Sequence, residues 1–144
     1  MTIDKEKIRQ KLQFMRDNLR KLEHFHGMNI DEFKSDFLYE AAATRMLQIT
    51  IEAMLDICAH VIAREGWGIP KTYGETVEIA ACNGLIPSEM EETYKNIAKF
   101  RNRIVHLYDD VKTEEVFNII KSHLKDFKPF ITKVIQTYFS ENST

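Results

Sequence analysis

The sequence predicts an all-α protein, an antiparallel bundle of about five helices. Apolar residues recur at spacings of three and four along most of the chain, which is the period of helices with a buried face. An alternation of apolar and polar residues, typical of half-buried strands, is not sustained anywhere. The five glycines and three prolines punctuate a sequence that is otherwise helical in period. At 144 residues and without a linker-like tract, residues 1–144 are expected to form a single domain.

The first predicted element is a helix over residues 4–25. Its apolar residues form one narrow stripe and charged residues cover the remaining surface, which is typical of an amphipathic helix. The stripe consists of Ile8, Leu12, Met15, Leu19 and Leu22. His26 and Gly27 follow as the stop signal.

The second predicted element is a longer helix, from residue 31 to about residue 65, that is apolar on two sides. One face carries Phe33, Phe37, Leu47, Ile51, Leu55, Cys58 and Ile62. The opposite face carries Leu38, Ala42, Met46, Ile49, Ala53, Ile57 and Val61. Such a helix must be buried on both sides. Because one bundle does not easily cover both faces, we expect a homodimer.

The third and fourth elements are separated from the second by breaker residues. Residues 66–70, Gly-Trp-Gly-Ile-Pro, end the long helix, and a short helix over 73–83 ends at an Asn-Gly pair. Ser88, with Glu91 three residues later, matches a capping box that would open the next helix. This helix is expected to end near Tyr108.

The last predicted helix begins at Thr113, which two glutamates follow. Its apolar stripe consists of Val116, Ile120, Phe127, Ile131, Val134 and Tyr138. Pro129 is expected to kink this helix. Residues 141–144 are expected to be a disordered tail.

Composition restricts the classes of protein to consider. Twenty basic and 22 acidic residues give a net charge of −2, so nucleic-acid binding would have to be local. Cys58 lies on an apolar stripe, which favours a buried free thiol over a redox or ligand role. The N-terminus is charged where a signal peptide would be apolar, and no uninterrupted apolar run approaches the roughly 20 residues of a membrane span. We therefore expect a cytoplasmic protein without a membrane contact.

Residues 101–108, Arg-Asn-Arg-Ile-Val-His-Leu-Tyr, bring groups able to do chemistry together at fixed spacing. Arg101 lies within a stripe formed by Met90, Tyr94, Ile97, Ala98, Ile104, Val105 and Tyr108. A guanidinium buried there needs an anionic partner. Asn102 and His106 stand four residues apart and share the flank beside Arg101. This trio suits phosphodiester chemistry without a metal or cofactor, because histidine moves protons near neutral pH and arginine stabilises a charged phosphorane. The alternative is structural: an arginine bonded to a carboxylate, an asparagine bonded to its own backbone and a core histidine.

Two further polar groups have less specific interpretations. On the long helix, Glu52, Asp56, His60 and Arg64 recur every four residues, which indicates either a solvated ladder of ion pairs or a metal site. A dinuclear site would need two Glu-x-x-His pairs, and the chain has one, at Glu23 and His26, so we predict no metal. On the predicted helix that carries residues 101–108, which we call the motif helix, Lys95, Lys99 and Arg103 are expected to form a solvated surface.

The motif at 101–108 resembles the Arg-x4-His-x-Tyr motif of HepT-like toxins in the HEPN superfamily of all-α ribonucleases. The order of elements resembles that family over nearly the whole chain. Shared stretches are Ile-Glu-Ala-Met-Leu-Asp-Ile-Cys-Ala-His at 51–60, Thr-Tyr-Gly-Glu-Thr at 72–76 and Tyr-Asp-Asp-Val at 108–111. The combination is far more specific than Arg-Asn-x3-His alone.

The resemblance implies a metal-independent endoribonuclease. Arg101 and His106 would be its catalytic pair and Asn102 the polar residue between them. It also implies a dimer whose two motif helices line one cleft, and a cognate antitoxin, a minimal nucleotidyltransferase of the MntA type that transfers AMP to Tyr108. Asp56 lies in a shared stretch and is kept as a candidate supporting residue without an assigned catalytic role.

Two alternatives stay open at this point. Tyr108 is either the modified residue, with its phenol at the mouth of the cleft beside Arg101, or a core tyrosine on an apolar stripe. The protein is either an RNA-cutting toxin or a non-catalytic helical partner that binds a nucleotidyltransferase or a nucleotide through the same cleft. The mildly acidic charge favours the partner, whereas the intact motif favours the toxin.

Overall fold

The computed structural model describes residues 2–140, and that part of the chain is built from helices without a strand. The helices are α1 (Lys5–Glu23), α2 (Ile30–Lys34), α3 (Phe37–Glu65), α4 (Tyr73–Cys82), α5 (Glu91–His106), α6 (Thr113–Ser122) and α7 (Lys128–Tyr138). Single 3₁₀ turns at Ser88–Met90, Tyr108–Asp110 and Leu124–Phe127 connect some of them. The predicted all-α class is confirmed. The tail predicted for 141–144 lies outside the described residues.

The central element is α3, which packs against α1, α2, α4, α5 and α6. Both of its faces are covered within one chain: Ala53 is 3% exposed and Ile57 is 1% exposed. The argument that a single bundle cannot hide both faces is therefore wrong, because neighbours of the same chain surround the helix. An 18-residue window of α3 has a mean hydropathy of 1.5, which by length and composition is enough for a membrane span. The sequence did not single out this segment, because its apolar run is interrupted. Since 61% of that window is buried inside the bundle, its place in the core accounts for its apolar character.

The long helix predicted from residue 31 is in fact two helices. Asp36 interrupts it by accepting a hydrogen bond from the Leu38 N–H at 2.9 Å, which caps the start of α3. Phe37 and Leu38 are exposed rather than buried, so the two predicted faces fail at this end of the helix. From Ala43 onward the predicted burial largely holds.

Two further predictions about helix ends are wrong. Ser88 caps no N–H with its side chain, and a 3₁₀ turn precedes α5 where the capping box was expected. The last helix is broken rather than kinked, into α6, a 3₁₀ turn and α7. Pro129 lies in the first turn of α7, where a missing N–H costs nothing because no intrahelical partner exists for it.

Other expectations about small features are confirmed. Gly66 ends α3 with a φ of 69°, a left-handed conformation that glycine adopts at low cost. Cys58 is a fully buried free thiol, and burial raises its pKa to about 12. That thiol is therefore poorly suited to nucleophilic or redox chemistry.

Candidate active site

Arg101 lies on α5 with its side chain only 17% exposed, and its guanidinium meets a carboxylate on α3. Its Nε donates to Oε2 of Glu52 at 2.9 Å, and its Nη2 lies 2.8 Å from the same oxygen. The anionic partner that the sequence required is therefore Glu52. Burial alone would raise the pKa of Glu52, but hydrogen bonds from Gln48 and Arg101 outweigh burial and hold the pKa below its usual range.

A third helix contributes to the same position. The guanidinium carbon of Arg101 lies 5.1 Å from the centre of the Tyr73 ring, within the range of a cation–π contact. Tyr73 is the first residue of α4. Residues from α3 and α4 thus fix an arginine of α5, which leaves the guanidinium little rotational freedom.

Asn102 and His106 lie on the solvent side of α5. Nη1 of Arg101 donates to Oδ1 of Asn102 at 3.3 Å, so the amide is directed at the guanidinium. His106 is the last residue of α5 and is exposed. The structural alternative is therefore right in giving Arg101 a carboxylate partner, but wrong in placing a histidine in the core. The structure brings Arg101 and Asn102 into contact and places His106 one turn further along the same helix.

Tyr108 lies just beyond the helix. Leu107 leaves the helical conformation with a φ of −132° and a ψ of 48°, and Tyr108 begins the following 3₁₀ turn. With Tyr108 61% exposed and Val105 also exposed, the buried stripe predicted for this end of α5 is wrong. The alternative of a core tyrosine is wrong for the same reason. The predicted position on the helix surface beside Arg101 does not apply, because the helix has already ended.

Arg103 fixes the turn that carries Tyr108. Its Nε donates to Oδ2 of Asp110 at 3.1 Å, its Nη2 donates to the Asp110 carbonyl at 3.1 Å, and its Nη1 donates to Glu115 of α6. The prediction of a merely solvated residue is therefore wrong for Arg103. The acidic residues at 109–110 and 114–115 were the sequence signal that could have predicted these partners of Arg103.

The four polar residues of α3 do not form a ladder with one another. Asp56 pairs with Lys11 of α1 at 3.1 Å, so this candidate supporting residue connects α1 to α3 and makes no described contact with the motif. Nε2 of His60 accepts a hydrogen bond from the Asp4 N–H at 3.0 Å. The pKa of His60 is lowered by burial first and then by the nearby Lys7 and Arg64. Among residues 2–140, no group of histidine, cysteine and acidic side chains is arranged to hold a metal ion.

Sequence reasoning missed two contributors to the site. It assigned Glu52 either to a solvated ladder or to a metal site, and it used Tyr73 only as part of a shared stretch. Neither contact could be read from spacing, because Glu52 lies 49 positions before Arg101.

A family model described as "Ribonuclease HepT-like" matches residues 15–134. An mRNA nuclease HepT of Shewanella oneidensis is 28% identical over 113 residues, which cover 78% of this chain and 84% of the relative. A tRNA nuclease HepT of Aphanizomenon flos-aquae is 28% identical over 132 residues, which cover 91% of this chain and 88% of the relative.

Solved structures give the same result. A tri-AMPylated HEPN toxin of Shewanella oneidensis, in complex with an MNT antitoxin, superposes with a TM-score of 0.81 at 26% identity, covering 89% of this chain and 96% of that one. A toxin–antitoxin structure with AMP-PNP has a TM-score of 0.80 at 26% identity, covering 89% of this chain and 97% of its own. YutE of Bacillus subtilis, a cytosolic protein of unknown function, has a TM-score of 0.83 at 19% identity, covering 99% of this chain and 95% of its own, and shows the fold alone.

Proposed function

The chain belongs to the HepT-like ribonuclease family, and on that basis we propose that it is the toxin of a toxin–antitoxin pair, an endoribonuclease that cleaves RNA without a metal. The observation that carries this proposal is the position of Arg101, held by Glu52 and Tyr73 beside Asn102, with His106 exposed one turn away. We also propose that residues 1–144 form one domain. We propose further that it acts in the cytoplasm, where RNA and the ATP that the antitoxin uses are found.

The guanidinium has donors left for a phosphate. An arginine carries five N–H donors. Nε of Arg101 donates to Glu52 and Nη1 donates to Asn102, while Nη2 makes an ion pair with Glu52 at 2.8 Å. N–H groups remain on Nη1 and Nη2, the two nitrogens through which an arginine binds a phosphate with two parallel hydrogen bonds. Glu52 thus orients the arginine without occupying the donors that the reaction needs.

The reaction that fits these groups is transesterification. The RNA 2′-oxygen attacks the adjacent phosphorus and loses its proton, while the bond between phosphorus and the 5′-oxygen breaks and that oxygen gains a proton. His106 moves protons, and Arg101 stabilises the charge that develops on the phosphoryl oxygens. The products are a 2′,3′-cyclic phosphate and a 5′-hydroxyl.

We propose that Tyr108 is the residue on which an MntA-type nucleotidyltransferase places AMP. Its exposed phenol is accessible to such an enzyme. The Shewanella toxin, which is AMPylated and bound to an antitoxin, supports the same regulation here. Each added phosphodiester brings about one negative charge, which repels an RNA backbone as a phosphorylated side chain would.

The activity is tested with the purified chain and a mixed RNA substrate in an excess of chelator. Cleavage is expected to continue at the same rate, because the proposed groups need no divalent ion. Loss of cleavage on chelation, with recovery after addition of a divalent ion, would contradict the mechanism. A chain that binds RNA or the nucleotidyltransferase but cuts nothing would instead support the non-catalytic helical partner.

The homodimer is proposed at a different surface from the one that the sequence suggested. Ala53 and Ile57 are core residues, so charges there would unfold the domain rather than separate two copies. Val105 and Leu107 are exposed at the end of the motif helix. A second copy packing there would place two motif helices at one cleft, so that each His106 can serve one of the two proton transfers.

Leu107→Asp is therefore expected to shift the protein from dimer to monomer and to reduce cleavage, because Leu107 is 59% exposed and a charge there would be buried in the dimer. Light scattering at about tens of micromolar measures this shift. Phe14→Asp is the control, since Phe14 is a half-exposed apolar residue on a different helix, α1. A wild-type protein that is monomeric at this concentration would contradict the proposal.

A further inference from the structure

A cleft of about 370 Å³ lies between α4 and α5, next to the proposed active site. The side chains that matter for its chemistry are Tyr73, Glu78, Lys95, Lys99 and Asn102. Tyr73 and Asn102 also contact Arg101, so the cleft and the catalytic arginine share two walls.

The cleft follows one face of the motif helix. Lys95, Lys99 and Asn102 stand four and three residues apart on α5, and His106 follows after another four. These intervals repeat the turn of an α-helix, so the four side chains share one side of α5. At a rise of 1.5 Å per residue, the Lys99 backbone lies about 10 Å from that of His106. The cleft therefore lies on the side of α5 that carries His106.

The two lysines of this face have different surroundings. Lys95 pairs with Glu78 at 2.8 Å and with Glu91 at 3.3 Å, and the hydrogen bond to Glu78 is the main cause that raises its pKa. Its charge is thus compensated by the protein. Lys99 is exposed and makes no hydrogen bond or ion pair with the other described residues. Its ammonium group is free to bind an anion at the cleft.

We propose that this cleft binds the RNA backbone beside the bond that is cut, with Lys99 contacting a phosphate that is not itself cleaved. This proposal rests on the proposed ribonuclease function. Proteins that bind single strands combine a cationic groove that follows the backbone with aromatic side chains on which bases stack, and a single lysine contributes as a point charge. A chain with net charge −2 needs such a local contact, because its overall field does not attract RNA.

The test measures the binding of a 2′-O-methyl RNA oligonucleotide, which has no free 2′-hydroxyl to attack, at several salt concentrations. For a single strand, the slope of log K against log salt changes by about 0.7 for each phosphate contact. Lys99→Ala is expected to make the slope shallower by about that amount and to weaken binding for every sequence tried. Lys99→Arg keeps the charge and is expected to retain the wild-type slope.

Lys21→Ala is the matched control, since Lys21 is an exposed lysine on α1 without a described partner, and it should leave slope and affinity unchanged. With cleavable RNA, Lys99→Ala should raise KM and leave kcat near the wild-type value, because binding of substrate and transition state is weakened equally. If Lys99→Ala binds RNA with the affinity and the salt slope of the wild type, the cleft proposal is overturned and the proposed function is not affected. A wild-type protein that neither binds nor cuts any RNA would overturn the proposed function together with it.

Discussion

Replacement of His106 by alanine is expected to abolish toxicity and to slow RNA cleavage by at least about 10²–10⁴-fold, the usual contribution of a general acid or base. His106 is exposed at the end of α5, so its removal opens no cavity in the core. The variant should therefore unfold at the same denaturant concentration as the wild type. Single-turnover cleavage of RNA, measured together with that unfolding midpoint, separates a loss of chemistry from a loss of fold.

His26→Ala is the control for this experiment. His26 is also an exposed histidine, beyond the end of α1, and its side chain has no described contact. It should cut RNA like the wild type. Arg101→Ala is a less specific variant, because it also leaves Glu52 without its ion-pair partner. If His106→Ala cleaves RNA at the wild-type rate, the proposal that His106 moves protons in the reaction is contradicted.

Replacement of Tyr108 by phenylalanine is expected to separate cleavage from regulation. The ring stays and the exposed hydroxyl is lost, so the variant should still cut RNA and should remain stable. Without the phenolic oxygen it cannot accept AMP, and the antitoxin should fail to silence it. Incubation with the nucleotidyltransferase and ATP should raise the mass of the wild type in steps of one AMP and leave the mass of Tyr108→Phe unchanged.

Tyr39→Phe is the control, because Tyr39 is a partly buried tyrosine on a different helix, α3, that packs against Phe25. It should be modified and silenced like the wild type. Modification found on another tyrosine, or full silencing of Tyr108→Phe, would require the regulatory role of Tyr108 to be abandoned. The loss of RNA binding should grow with each AMP added to the wild type.

The order of the helices could be predicted because their apolar faces have a local period. The stripe of α1 and the stops at Gly66 and at the Asn-Gly pair after α4 are set by residues close in sequence. The failures occur where a local signal has competing interpretations. Phe37 and Leu38 continue the apolar pattern although they are exposed. Asp36, which the pattern passes over, is the cap at which α3 begins. Pro87, with a φ of −56° and a ψ of 134°, leads into a 3₁₀ turn in place of the capping box at Ser88.

The site could be predicted only in part. The motif identifies Arg101, Asn102 and His106 as candidates, and burial of a guanidinium requires a carboxylate. Spacing does not reveal which carboxylate, because Glu52 and Arg101 meet only when α3 and α5 pack together. The same holds for Tyr73 of α4. Tertiary packing, rather than local sequence, therefore determines how Arg101 is held.

The most direct test of the central claim, that the Arg101 and His106 cluster cleaves RNA by transesterification, is the chemistry of the new RNA ends. The purified wild type should produce fragments that end in a 2′,3′-cyclic phosphate and fragments that begin with a 5′-hydroxyl, identified by mass spectrometry of a short defined substrate. Attack by the 2′-oxygen gives this pair of ends first, and hydrolysis of the cyclic phosphate to a 3′-phosphate leaves the 5′-hydroxyl unchanged. Fragments with a 3′-hydroxyl and a 5′-phosphate would mean that water attacks the phosphorus, and the account given for this site would be contradicted.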